Sequence, residues 1–312
     1  MGSGIGSQHI SAGREDATRW LRRALKLLAP GYTGRRARWL LRRWFLADRL
    51  ISIAIGNAVH VRLPASGDLA YAFVVNGGFE TTEREFILRF LRSGDIFFDV
   101  GANAGLHTVL GAISVANRGR VHAFESDPRA YSLLRKNIEL NNLRNVILNP
   151  VAISNQDGVI EFACCLDSAY SSMRENKYHQ TRGDLEWIEV DCITLDAYME
   201  QQHLERVDFV KIDVEGAELR VLQGAEMLLN ERLAPVLMIE FCDVTAAGFG
   251  YKAVQLGEHL EGCGYQLYEY DPEHHQLLKH HRQVDYDWPT LIATKDPAGI
   301  NARLADFKGA GG

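Results

Sequence analysis

Cysteine is scarce in this chain: five among 312 residues, at positions 164, 165, 192, 242 and 263. The number is odd, no CxxC pair occurs and no secretory signal opens the chain. A disulfide framework is therefore excluded, and reduced, mostly buried thiols in a cytoplasmic protein are expected. Long apolar runs are also missing; none approaches the roughly 20 residues a membrane span requires. Positive charge is not in excess, since the net charge is −6, which excludes a nucleic-acid binder for the molecule as a whole. No internal repeat is visible. What remains is an ordinary globular composition, 46% hydrophobic and 24% charged, long enough for one large core and a small extra element.

Charge is unevenly distributed. Residues 1–50 hold eleven Lys and Arg against three Asp and Glu. The stretches 18–28 and 35–50 mix Leu and Trp with Arg at helical spacing, so residues 1–50 are expected as a basic helical arm. One reading is peripheral contact with an anionic membrane at its inner face. The other is docking of the apolar stripe on the main domain or a second subunit. Residues 51–81 read as a small β-rich lead-in, 82–296 as the main domain and 297–312 as a C-terminal tail.

From residue 82 the pattern alternates. Strands are expected at 96–100, 120–124, 146–149, 207–212, 235–241, 265–270 and 290–294, with helices at 82–91, 104–116, 128–141, 195–202, 217–229 and 252–261. Extra β-rich pieces fall at 159–164 and 187–190, with a polar loop between them. Alternating apolar strands and helices predict an α/β fold with a mostly parallel, doubly wound sheet covered on both faces. The last two strands lack room for an intervening helix and should pair antiparallel at the sheet edge.

Three segments carry chemistry. Phe98-Asp99-Val100-Gly101-Ala102-Asn103-Ala104-Gly105 is a strand ending in a glycine loop that runs into a helix. Gly101 and Gly105 permit close approach by a ligand. Asn103 replaces the second loop glycine, and Asp99 would repel a diphosphate but suit the amino group of a methionine-like ligand. An N-capped turn with a buried Asp is the bland alternative. Second, Glu125 ends the next strand 24 positions after Gly101, near the spacing of about 20 at which an acid receives ribose hydroxyls. Alone it would be a surface loop residue. Third, Asp213-Val214-Glu215-Gly216 places two carboxylates at the tip of the strand beside the glycine loop, where helix capping would also place them.

These segments, with AFESDP, NPVAISNQDG, VKIDVEGAELRVLQGA and a later strand ending in Glu240, resemble the FkbM-type methyltransferases over roughly residues 82–294. The resemblance implies a class I methyltransferase (Rossmann-like) fold, mostly parallel with an antiparallel C-terminal edge strand. It implies S-adenosylmethionine as cofactor and O-methylation, often of sugars or natural products. It further implies that Asp99, Gly101, Asn103 and Gly105 line the methionine end of the cofactor and Glu125 holds the ribose. Ser126 and the 151–152 stretch, Ala152 included, border the adenine. Cys242 stands after Glu240-Phe241 where the family often has His.

Methyl transfer requires an acceptor hydroxyl held in line with the methyl and relieved of its proton. Asp213, Glu215 and Glu240 are the candidate carboxylates for that face, with Asp213 also bordering the cofactor. The acceptor is expected to be a small-molecule or glycan hydroxyl, with no resident metal and no nucleic acid. His107 reads as a helix-start or packing residue. His274-His275 and His280-His281 fall between the last two strands and read as a solvated loop, without partners at ligand spacing. Tyr170, Ser171 and Ser172 sit in the polar loop, as substrate contacts or ordinary surface. Two other functions share parts of the pattern: an NAD-dependent oxidoreductase, opposed by Asn103 and the Asp213–Gly216 segment, and a non-catalytic methyltransferase-fold scaffold, opposed by the intact cofactor motifs.

Overall fold

The structure is a computed structural model that describes residues 34–37, 39–40, 50–55, 59–65, 67–164, 172–173, 186–230 and 234–307. The chain divides into two compact units, residues 1–51 with 63–79, and residues 52–62 with 80–312. Most of the expected basic arm, and Tyr170 and Ser171 of the polar loop, lie outside the described residues. In the first unit, residues 34–37 and 39–40 are helical. Trp39 packs edge-on against Tyr71 with ring centroids 4.9 Å apart, and Arg35 Nε donates to the Val75 carbonyl at 2.7 Å. Tyr71 ends the short helix α1 (Asp68–Tyr71). Strands β1 (Leu50–Ile55) and β2 (Val59–Pro64) form a small two-stranded sheet, whereas residues 68–76, expected within the β-rich lead-in, are helical.

The second unit is built on eight strands. Helix α2 (Thr81–Phe90) leads into β3 (Ile96–Val100), α3 (Leu106–Val115), β4 (Arg120–Phe124), α4 (Pro128–Leu140) and β5 (Val146–Asn149). The chain then builds a second sheet from β6 (Ala152–Ile153), β7 (Gly158–Cys164), β8 (Ser172–Met173) and β9 (Glu186–Ile193), ordered β6-β9-β7-β8. It returns through α5 (Leu195–Gln201), β10 (Phe209–Ile212), α6 (Glu218–Gln223), α7 (Glu226–Asn230), β11 (Val236–Glu240), α8 (Asp243–Ala246), α9 (Val254–Gly262), β12 (Gln266–Asp271), β13 (Gln276–Lys279), β14 (Thr290–Thr294) and α10 (Pro297–Ala305).

The main sheet runs β13-β12-β14-β11-β10-β3-β4-β5. Pairings among β5, β4, β3, β10 and β11 are parallel, and β14 is antiparallel to both β11 and β12. This is the α/β, class I methyltransferase arrangement, mostly parallel with antiparallel strands toward one edge. Strand order reverses between β3 and β10, and such a switch point opens a crevice at the carboxyl ends of the strands. Alternation sets the faces. Phe97 and Phe209 join Phe86 and Phe90 of α2 in one aromatic cluster. Phe98 and Phe124 meet Tyr198 of α5 on the other face.

Two regions depart from expectation. The connection between β12 and β14 folds back as β13, with Tyr270 opposite Leu277. Within it, His280 is buried, 2.8 Å from Glu269 Oε1 and 3.2 Å from the Tyr286 hydroxyl. His275 pairs with Glu85 at 3.1 Å, so these two histidines are structural, whereas His274 and His281 are exposed. Residues 297–305, expected as tail, form α10. Asp296 caps it, and Pro297 occupies the first turn, where its missing N–H costs nothing. Arg303 ties it down through Asp95 and lies over the Phe90 ring at 4.4 Å.

Candidate active site

The loop after β3 takes left-handed backbone at Gly101 (φ 82), Asn103 (φ 49) and Gly105 (φ 84). A Cβ on Gly101 would lie 1.8 Å from the Asp213 carbonyl oxygen, and one on Gly105 2.5 Å from Leu134 Cδ1. The room these glycines create is filled by the protein itself. Their absent side chains bring β3 against β10 and α3 against α4.

Glu125 staples the loop. Its Oε2 accepts from the Asn103 amide at 2.7 Å and its Oε1 from the Asp127 amide at 2.8 Å. Burial lifts its carboxyl to about 7, against the pull of those two amides. Each oxygen keeps a lone pair beyond its amide bond. Asp99 is fully buried, and its Oδ2 accepts from the Thr108 hydroxyl at 2.5 Å. Burial raises its carboxyl, and the nearby Lys211 ammonium works in the other direction. Asp99 Oδ1 and Asn103 Oδ1 are buried with no hydrogen-bond partner among the described residues.

Lys211 had no assigned role in the sequence, although a lysine inside the apolar run Phe209–Ile212 is a signal in itself. It pairs in register with Asp99 and is 4% exposed. Burial opposes its charge, but Asp213, Asp99 and Glu80 overcome that and raise its pKa. Its Nζ donates to Asp213 Oδ2 at 2.8 Å. Glu80, just before α2, was likewise unmarked. Its Oε2 lies 3.1 Å from His107 Nε2.

Beyond β10 and β11 the carboxyls converge. Glu215 has left-handed backbone (φ 55). Burial, then the Asp213 charge, raises the carboxyls of Glu215 and Glu240 well above their ordinary range, and Glu215 acts in turn on Glu240. Glu218, absent from the expected set, accepts from the amides of Val214 and Gly216 at 3.1 Å each and from the Tyr251 hydroxyl at 3.2 Å. Ser126 is half-buried at the β4 tip. Ala152 is buried in an apolar cluster with Phe162 and Cys192. Val151 borders a cavity of 380 Å³ with Asn149 and Tyr198. Among the described residues, no group of three or more His, Cys, Asp or Glu is arranged to hold a metal ion. Among them, too, no helix is long and apolar enough to cross a membrane.

The methyltransferase FkbM domain profile matches residues 99–267, more than half of the chain. The 2-O-methyltransferase NoeI of Sinorhizobium fredii is 26% identical over 161 residues, 47% of this chain and 64% of the relative. The hexuronic acid methyltransferase AglP of Haloferax volcanii is 30% identical over 132 residues, 42% of this chain and 49% of the relative. The match thus spans less than two thirds of either relative. The crystal structure of the methyltransferase FkbM from Methylobacillus flagellatus KT aligns with a TM-score of 0.41 at 15% identity, covering 90% of this chain and 60% of that one.

Proposed function

Because the chain belongs to the FkbM methyltransferase family, we propose that it transfers a methyl group from S-adenosylmethionine to a hydroxyl of a sugar or natural product. The supporting observation is the polarity of the glycine loop. Asp99 Oδ1 and Asn103 Oδ1 are buried acceptors without donors, and a buried acceptor left unmet costs about 1–3 kcal/mol. A ligand bringing N–H groups and positive charge relieves that cost, and a diphosphate would add to it. The residues therefore fit the amino-acid end of S-adenosylmethionine and disfavour NAD.

When bound, the cofactor supplies an electrophilic methyl on a sulfonium. Asp99 and Asn103 bind its amino end, and Glu125 offers its free lone pairs to the ribose hydroxyls. Asp213 is fixed by Lys211 and borders the cofactor. Glu215 and Glu240 face the acceptor side, and one of them takes up the hydroxyl proton. Their raised pKa is what a base for an alcohol requires, since a carboxylate in its ordinary range is too weak. The names of two relatives, a 2-O-methyltransferase and a hexuronic acid methyltransferase, favour a glycan acceptor. Radiolabelled methyl transfer to hexuronate-containing oligosaccharides tests this. Label in an alkali-stable ether is the expected result, and cofactor binding without transfer to any hydroxyl acceptor would refute the acceptor assignment.

A further inference from the structure

The assignments above leave Glu80 and His107 without a task. Glu80 stands at the start of α2 with a left-handed backbone (φ 45), a conformation L side chains adopt at a cost and which concentrates at functional sites. Helix α2 leads through a short turn into the base of β3. Its first residue is thereby carried back to the carboxyl end of the sheet, level with the glycine loop. There Glu80 Oε2 lies 3.1 Å from His107 Nε2 of α3. Both atoms are buried, and among the described residues neither has a hydrogen-bond partner apart from this contact. Asp99 Oδ1 has no partner either. Lys211 is the ammonium beside them, and it is engaged by Asp213. Three carboxyls, Glu80, Asp99 and Asp213, thus share the charges of Lys211 and Arg84.

We propose that Glu80 is the anionic partner of the cofactor's α-ammonium group, and that His107 is a positioning residue which holds the Glu80 carboxyl until that cation binds. This rests on the methyltransferase reading. The groups facing Glu80 are Lys211, Asp213 and Glu215 at and beyond the β10 end, Asp99 of β3, Glu83 and Arg84 of α2, and His107 of α3. Burial raises the Glu80 carboxyl to about 8, with Lys211 opposing and the neighbouring carboxylates adding. Burial, with Lys211 and Arg84, pulls the His107 imidazole well below its ordinary range. At neutral pH a protonated Glu80 therefore faces an imidazole nitrogen free to accept its proton. Arrival of the ammonium replaces that proton, which leaves to solvent. Cofactor binding is in this way linked to proton release.

The test is calorimetric titration of the full chain with S-adenosylhomocysteine in buffers of different ionisation heat, from about pH 6 to about pH 7.5. The wild type is expected to release close to one proton per ligand, with affinity rising up to about tenfold per pH unit. Glu80→Gln should lose both effects, and Glu139→Gln, exposed on α4, should keep them. His107→Ala should move the midpoint of the linkage to lower pH, because the protonated carboxyl loses its acceptor. Binding without proton release in the wild type overturns the proposal, as does release that persists in Glu80→Gln or vanishes in Glu139→Gln. An unmoved midpoint in His107→Ala overturns the role given to His107. A wild type that binds no S-adenosylhomocysteine at any pH refutes the cofactor reading, and this proposal with it.

Discussion

Asp99 and Glu125 share a chemistry but not a situation. One has an oxygen with no partner, and the other has both oxygens stapled to backbone amides. Replacing either by Ala should weaken S-adenosylhomocysteine binding by about 1–3 kcal/mol, the worth of a hydrogen bond to a charged group. Glu125→Ala should in addition loosen the loop, seen as faster amide exchange at Asn103. Glu125 also predicts a pH effect on stability. Its folded value of about 7 lies above its ordinary 4.5, so between those values the unfolded chain has lost a proton that the folded one keeps. Stability without ligand is therefore full below about pH 4.5 and declines as pH rises through about 7. Denaturant midpoints across this window check it, and Glu125→Gln should flatten the decline. Glu215 and Glu240 give a kinetic counterpart. Both carboxyls are raised, by burial first and then by the Asp213 charge, so the base titrates above the ordinary carboxylate range. The rate should climb toward alkaline pH, and the variant lacking the true base (Glu215→Gln or Glu240→Gln) should lose that slope along with most of kcat.

Among the elements, the contact of β3 with β10 is the one the site depends on. Gly101→Ala would drive a methyl into the Asp213 carbonyl at 1.8 Å from a left-handed backbone. It should cost about 2–4 kcal/mol of stability by chemical denaturation. A cost near zero would mean the two strand ends do not meet as described. Helix α10 makes a second prediction, because deleting residues 297–312 removes the Arg303 ties to Asp95 and Phe90 and should lower Tm. A true tail would leave Tm unchanged. These two elements also mark what the sequence makes legible. The bounds of β3, β4, β5 and β14 follow from apolar runs closed by turn residues. Strand β13 is four residues with only Leu277 buried, too short for any period to emerge. Helix α10 carries the same Asp-Pro opening as α4, but Gly299 and its short length mask the signal. Asp99 and Glu125 can be picked out as acids at strand tips. Glu80 and Lys211 cannot, because their meaning arises only when α2 and β10 face the same side of β3.

For the whole molecule, charge is the organising fact. A basic segment within residues 1–50 precedes a strongly acidic remainder, and the crevice proposed for the cofactor is formed by that remainder. Removing residues 1–50 should leave S-adenosylhomocysteine affinity intact, while any binding to anionic vesicles is lost. The acidic crevice is what the functional reading depends on: buried acceptors without donors, one engaged lysine, and carboxyls gathered at the strand ends. The most direct test is paired titration of the full-length protein with S-adenosylhomocysteine and with NAD. Micromolar binding of the first, weakened in Asp99→Ala, and no binding of the second is the predicted result. Binding of NAD with none of S-adenosylhomocysteine would contradict it.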